Sequence, residues 1–258
     1  MLIEKILISI IEGVTEFLPV SSTAHIIILS KLINIDLSLP EIKFHILFIQ
    51  LGALLAGLFV YIRKEYLNSY YIYRVAVSFM PSAFFGFIFY KAFKKLLEGN
   101  FLLMTIMLVL VGAALTYVDS TRYNGKVLSK EKSKFTLVDA FILGIAQSIA
   151  IIPGVSRSGI TIVAGRLLKI KKEIILDYTF VLALPTIAAA VTYDFYKTTN
   201  VVGVNYNFIH LMTGFGVAFV IAYLTLTFIR KHLKDVKLRY FSYYRYLLAV
   251  LVFVILYL

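Results

Sequence analysis

Cysteine and tryptophan are both absent from the 258-residue chain. Without cysteine there is no disulfide, no thiolate nucleophile and no cysteine-bound metal, and redox chemistry says nothing about compartment. Without tryptophan, the 18 tyrosines and 21 phenylalanines must supply any interfacial aromatic belt. Charge is scarce: 16% of residues are charged and 60% are hydrophobic. Ordinary globular domains are about 45–50% apolar. Several apolar runs are long enough to cross a bilayer, which takes roughly 20 helical residues. The chain therefore reads as a polytopic membrane protein, a single membrane domain over 1–258 with no room for a soluble one. Its apolar opening is not expected to be a cleavable signal. Lys5 is a weak basic start, the run continues through Phe17, and no small-residue cleavage site follows.

The charge that is present has one dominant sign, with 26 Lys and Arg against 14 Asp and Glu, a net of +12. No basic module stands outside the apolar runs, so nucleic acid is not expected as a partner. The basic loops read instead as topology signals that touch anionic lipid.

Six segments read as full spans: 44–62, 72–93, 101–118, 174–196, 208–229 and 242–258. Two further apolar stretches, 2–33 and 136–168, are interrupted by Pro, Gly and Ser, and each half is too short to span. Each predicts a re-entrant hairpin of two half-helices, tolerable at membrane depth only inside protein or beside a watery cavity. The two stretches align without gaps at an offset of 135: Leu2 with Leu137, Glu4 with Asp139, Glu12 with Gln147, Val20 with Val155, Ser21 with Ser156, Ile27 with Ile162. Each hairpin precedes three spans. Three is odd, so the second hairpin should enter from the opposite face. The predicted fold is an all-α integral membrane protein with six transmembrane helices and two re-entrant hairpins in an inverted-topology repeat. The halves are 1–118 and 136–258, joined by a charged linker over 119–135. Lys and Arg concentrate around 63–74, 122–134, 169–172 and 230–239. That face should be cytoplasmic, and the first hairpin, with the active site, should open to the external face of the cell membrane.

Polar residues inside membrane segments are costly and are functional candidates by default. They gather at the two breaks. In the first, Glu12 and Glu16 lie four apart on one helix face. Pro19 ends that helix, Ser21 or Ser22 can cap the next, and the three-residue spacing from Ser22 to His25 brings those two together. In the second, Pro153-Gly154-Val155-Ser156-Arg157-Ser158-Gly159 leads into another helix N-terminus. Free N–H groups at helix N-termini attract anions, and the planar fork of Arg157 suits phosphate. Taken singly, each serine reads as an N-cap. As a set with Arg157, they read as a phosphoryl-transfer site. Glu12 and Glu16 would repel the anion unless protons or a divalent cation such as Mg2+ or Ca2+ intervened. Ser22 could be the nucleophile, with His25 or Glu16 taking its proton; Ser22 could instead position a water. Arg157 would stabilise the transferred charge. The same architecture would also suit a lipid-carrier flippase using the midplane anion site. His45 and His210 lie near span ends and read as interfacial, and Gln50, Asp177 and Arg245 as polar contacts between helices.

The run from Glu12 to His25 resembles the first signature of the undecaprenyl-diphosphate phosphatases, the bacitracin-resistance membrane family, and Pro153 to Gly159 resembles the second. Weaker matches follow in family order at Phe44 to Gly52, Met80-Pro81-Ser82, Phe180 to Pro185 and Tyr244-Arg245. The resemblance implies a homodimeric membrane hydrolase that removes the terminal phosphate of a polyprenyl diphosphate, of undecaprenyl or dolichyl type, and so recycles the lipid carrier. It implies that Ser22 is the nucleophile, that Glu12, Glu16, His25 and Arg157 are essential, and that Thr23 and Ser156 assist. By motif position, Ser21, Gly154, Ser158 and Gly159 join the substrate-binding set, and Glu12 and Glu16 are the metal ligands. Two departures stand out. Ala24 replaces the usual glycine, and His45 replaces the usual acidic residue before Ile49-Gln50-Leu51-Gly52.

The charge asymmetry makes a direct prediction. With Lys130→Cys and Asn200→Cys introduced separately into this cysteine-free chain, an impermeant thiol reagent on intact cells should label position 200 and spare 130. The opposite pattern reverses the orientation.

Overall fold

The computed structural model describes residues 2–61, 69–97, 100–120, 135–199, 207–232 and 235–257. Most of the linker, Arg63, Lys64 and Asn200 lie outside this set. The described residues form ten α-helices: α1 (Leu2–Thr15), α2 (Ser22–Leu32), α3 (Pro40–Tyr61), α4 (Ser69–Leu97), α5 (Phe101–Val118), α6 (Leu137–Ser148), α7 (Arg157–Leu167), α8 (Lys172–Thr199), α9 (Phe208–His232) and α10 (Leu238–Tyr257). Six of them, α3–α5 and α8–α10, are long and apolar enough to cross a membrane. Together with α1–α2 and α6–α7 they make a multi-pass, all-helical membrane fold, with no strand among the described residues.

Local chemistry sets the boundaries. α3 starts at Pro40, where the missing N–H costs no hydrogen bond. The Asn100 side chain accepts from Leu103 N and starts α5. Thr136 and Asp139 form a reciprocal capping box on α6. At the breaks the chain bends after Thr15 and again after a short 3-10 turn at Ile149–Ile151, each time just ahead of a proline.

The backbone of the two hairpins repeats at the offset of 135. Ser21 (φ 74°) and Ser156 (φ 67°) take the left-handed region just before α2 and α7, and Asn34 (φ 55°) and Lys169 (φ 62°) take it just after them. The closing bonds repeat too: Ile35 N donates to Ser30 O, and Ile170 N to Gly165 O.

Contacts at the helix ends tie the hairpins to the long helices. At the start of α3, His45 meets Lys5 and Ser9 of α1. At its far end, Val60 O accepts from Arg230 at the end of α9. Near that second face Arg74 and Tyr70 of α4 donate to Phe135 O, just before α6, and Arg239 pairs with Asp119. Lys172 donates to Val236 O there as well. The starts of α1 and α6 therefore lie toward opposite ends of α3. The second end carries Arg230, Lys231 and His232 at the end of α9, Lys172 at the start of α8 and Arg239 at the start of α10; Lys31 and Lys197 end α2 and α8.

His45 is not interfacial. It is fully buried, with Nε2 within hydrogen-bonding distance of Ser9 Oγ and Lys5 O. Gly214 makes the room, since a Cβ there would lie 2.3 Å from His45 Cε1. Ala24 is a buried residue inside α2 with ordinary helical backbone, so the replacement of glycine carries no strain.

α3 and α9 pack closely through Gly52, where a Cβ would lie 2.4 Å from Phe215 O, a backbone atom that cannot yield cheaply. Gly52→Ala should cost about 1–3 kcal/mol of stability. Gly86→Ala, with open space around its Cβ, should be neutral or slightly stabilising. Thermal unfolding in detergent reads both; equal midpoints would refute the close packing.

Candidate active site

The two breaks meet, and a buried arginine joins them. Arg245 on α10 is fully buried. Its Nη1 donates to Pro19 O in the first break, and Nη2 donates to Gly154 O and Val155 O in the second. Nε and Nη2 also reach Leu108 O and Met107 O of α5. No carboxylate partners it among the described residues. A cation is favoured where helix ends present unpaired carbonyls, and here one guanidinium serves both breaks. Ser158 adds a second staple, donating to Leu18 O at 2.8 Å. Gly154 has φ 87° and lies against Met104 O, so neither its backbone nor its surroundings admit a side chain.

On the other side of the junction the functional groups converge. Arg157 Nη2 lies 2.7 Å from Glu16 Oε1, and Arg157 Nη1 donates to Ala183 O at 3.2 Å. Ser22 Oγ donates to Glu16 Oε2 at 2.8 Å. Glu16 thus holds the arginine on one oxygen and the serine on the other. Ser22 and Arg157 open α2 and α7 and are 135 residues apart, so they occupy equivalent places in the two hairpins. The Glu16 and Arg157 side chains keep 11% and 14% of their accessibility, so the pair lies at the edge of a reachable space.

Glu12, one turn deeper, is fully buried, and neither carboxylate oxygen has a hydrogen-bond partner among the described residues. Its charged neighbours are Glu16 and Arg157. An orphaned carboxylate of this kind calls for a cation or a proton. No cluster of three or more His, Asp or Glu among the described residues could hold a metal alone. Two carboxylates completed by substrate phosphate oxygens do match the way Mg2+ is commonly bound. In the other hairpin Gln147 occupies the equivalent position, and its amide nitrogen donates to Ser82 and Thr186.

The remaining sequence candidates fall into distinct places. His25 does not meet Ser22. Its Nδ1 bonds the Ser21 carbonyl at 2.7 Å, and its Nε2 bonds Tyr244 O–H at 2.7 Å, with the two rings stacked. Ser21 is buried and its hydroxyl makes no helix-capping bond. Ser156 does cap α7, accepting from Gly159 N at 3.3 Å. Thr23 is exposed and Gly159 is buried. Sequence reasoning missed the clamp by Arg245 and the partnership of Tyr244. The available signals were a charged residue within an apolar span and the weak family match at Tyr244-Arg245.

These features define a membrane protein with a phosphate-suited junction between two broken hairpins. The family model described as bacitracin resistance protein BacA matches residues 5–251. The chain belongs to that family. It is 34% identical over 252 residues to an undecaprenyl-diphosphatase of Sulfurihydrogenibium sp. (strain YO3AOP1), covering 96% of this chain and 97% of that one. It is 35% identical over 255 residues to the undecaprenyl-diphosphatase of Aquifex aeolicus (strain VF5), covering 96% and 95%. It is 38% identical over 226 residues to that of Persephonella marina (strain DSM 14350 / EX-H1), covering 87% of each.

The clamp makes its own prediction. Each hydrogen bond from a charged donor contributes about 1.5–3 kcal/mol. Arg245→Leu removes them all and leaves buried carbonyls unpaired, so its thermal midpoint should fall well below that of Arg245→Lys, which should itself lie below wild type. A wild-type midpoint in Arg245→Leu would refute the clamp.

Proposed function

We propose that this protein hydrolyses a polyprenyl diphosphate to the monophosphate and inorganic phosphate, as the names of its undecaprenyl-diphosphatase relatives indicate for them. One observation carries the chemistry: Ser22 Oγ points its proton at Glu16, whose other oxygen holds Arg157. A transporter would need the anion site but not an activated hydroxyl.

The geometry supports the following steps. The terminal phosphate sits at the N-termini of α2 and α7, beside Arg157. Ser22 Oγ attacks phosphorus as its proton passes to Glu16. The bridging P–O bond breaks, and its electron pair leaves on the prenyl monophosphate. Arg157 has donors beyond those given to Glu16 and Ala183 and meets the charge growing on the transferred group. Water then attacks the phosphoserine: the P–Oγ bond breaks, Ser22 Oγ takes back the proton held on Glu16, and Glu16 takes the proton lost by the water and passes it to solvent as inorganic phosphate leaves. Glu12 and Glu16 would hold a divalent cation, which supplies charge neutralisation to the diphosphate. His25 takes no proton from Ser22 in this arrangement. It holds the Ser21 carbonyl, and with it the turn that presents Ser22.

The repeated backbone and the opposite placement of the two hairpin starts support an inverted repeat with both hairpins re-entrant in the cell membrane. The basic face supports a cytoplasmic linker and a site open to the outside. A homodimer rests on the family resemblance alone.

The test is phosphate release from purified protein with undecaprenyl or dolichyl diphosphate, with and without chelator. Wild type should turn over, and chelator should suppress it. Losing a hydrogen-bonding group costs roughly ten- to a hundredfold, so Ser21→Ala should lie within that range and Ser22→Ala below it. Quenched wild type should carry phosphate on Ser22. Single-turnover chemistry in Ser22→Ala within a hundredfold of wild type would move the nucleophile to water.

A further inference from the structure

The side chains around the junction become steadily more accessible in one direction. Glu12 is buried, Glu16 and Arg157 are nearly so, Ser22 and His25 are intermediate, and Thr23 and Tyr244 are exposed, Tyr244 to 44%. The site therefore opens at the edge between α2 and α10. A substrate whose terminal phosphate sits against Ser22 and Arg157 must send its hydrocarbon chain out through that edge. The phosphate it retains then lies between the reacting centre and the opening.

His25 and Tyr244 stand there. His25 is one helical turn from Ser22 on α2. Its Nδ1 is committed to the Ser21 carbonyl, and its Nε2 shares a 2.7 Å hydrogen bond with Tyr244 Oη. The phenol can turn its O–H to an incoming anion, while the imidazole, which carries its proton on Nδ1, stacks on the ring and holds it in place. The charge next to them is positive. Arg245 adjoins Tyr244 in sequence and acts electrostatically on His25, and its hydrogen-bond partners among the described residues are all carbonyls. Beyond Tyr244 the exposed face of α10 continues through Leu247 and Leu251, an apolar surface for a prenyl chain.

We propose that Tyr244, with His25 and the exposed hydroxyl of Thr23, forms the subsite for the retained phosphate of the prenyl diphosphate, and that the prenyl chain leaves along α10. This rests on the hydrolase reading for its substrate, but it concerns binding and can be tested without turnover.

The experiment measures equilibrium binding of two probes, farnesyl monophosphate and inorganic phosphate, to wild type, Tyr244→Phe and Thr23→Val. Phenylalanine keeps the stacked ring and removes the hydroxyl. Tyr244→Phe should weaken farnesyl monophosphate about tenfold, the size expected for one hydrogen bond to a charged group, and inorganic phosphate less than twofold. Thr23→Val should follow the same pattern with a smaller loss. The unchanged phosphate affinity also shows that the terminal site is still folded. Unchanged binding of both probes by Tyr244→Phe would overturn the subsite, as would equal weakening of both. So would a fall in kcat with KM and farnesyl monophosphate affinity unchanged, which would make Tyr244 only a positioning residue for His25. If wild type released no phosphate from a polyprenyl diphosphate, the hydrolase reading would fail, and the binding comparison would still decide the subsite.

Discussion

One buried cation organises the centre of this molecule. Two helices stop inside the molecule, and each leaves carbonyl groups that need a hydrogen-bond donor. Arg245 satisfies carbonyls from both breaks with a single guanidinium. The two turns are thereby held in one place, and the helices that follow them start side by side. The cluster of Glu16, Ser22 and Arg157 is the consequence. Ser22 and Arg157 are the first residues of those helices, and they meet on Glu16 because their turns meet on Arg245.

The two hairpins share a backbone but have divided the chemistry. At the position that opens the second half-helix, one has a hydroxyl and the other a guanidinium. One turn ahead of the break, one has the buried Glu12, without a hydrogen-bond partner among the described residues, and the other has Gln147 with its amide nitrogen tied into a hydrogen-bonded network. A symmetric pair of serines would lack the guanidinium, and a symmetric pair of arginines would lack the hydroxyl. The repeated scaffold supplies equal positions, and the side chains supply unequal roles. Glu16 links them, since its two oxygens reach residues 6 and 141 positions away.

Much of this was legible in the sequence. The six spans, the two interrupted stretches and the pairing of their breaks follow from hydropathy, Pro and Gly, and the alignment of Glu12 with Gln147 and Ser21 with Ser156. Glu16, Ser22 and Arg157 could be named because polar groups at membrane depth need a reason. The orientation of His25 was not legible. A three-residue spacing puts His25 beside Ser22, but the ring turns to the Ser21 carbonyl and to Tyr244, 219 positions away. Arg245 read as an ordinary polar contact for the same reason, since its carbonyl partners lie 90 to 226 residues distant. Ser21 read as a cap, yet its backbone carries the turn at positive φ and its hydroxyl caps nothing. His45 read as interfacial because nothing local shows that Gly214 makes room for it.

The central claim is that Glu16 and Arg157, brought together from opposite hairpins, act as one catalytic unit. A double-mutant cycle tests it most directly, with phosphate release from a polyprenyl diphosphate measured for Glu16→Gln, Arg157→Gln and the double variant. Groups that act as a unit show strongly non-additive losses. The account predicts that the double variant is no more than about tenfold below the worse single variant. Losses that simply multiply would contradict it.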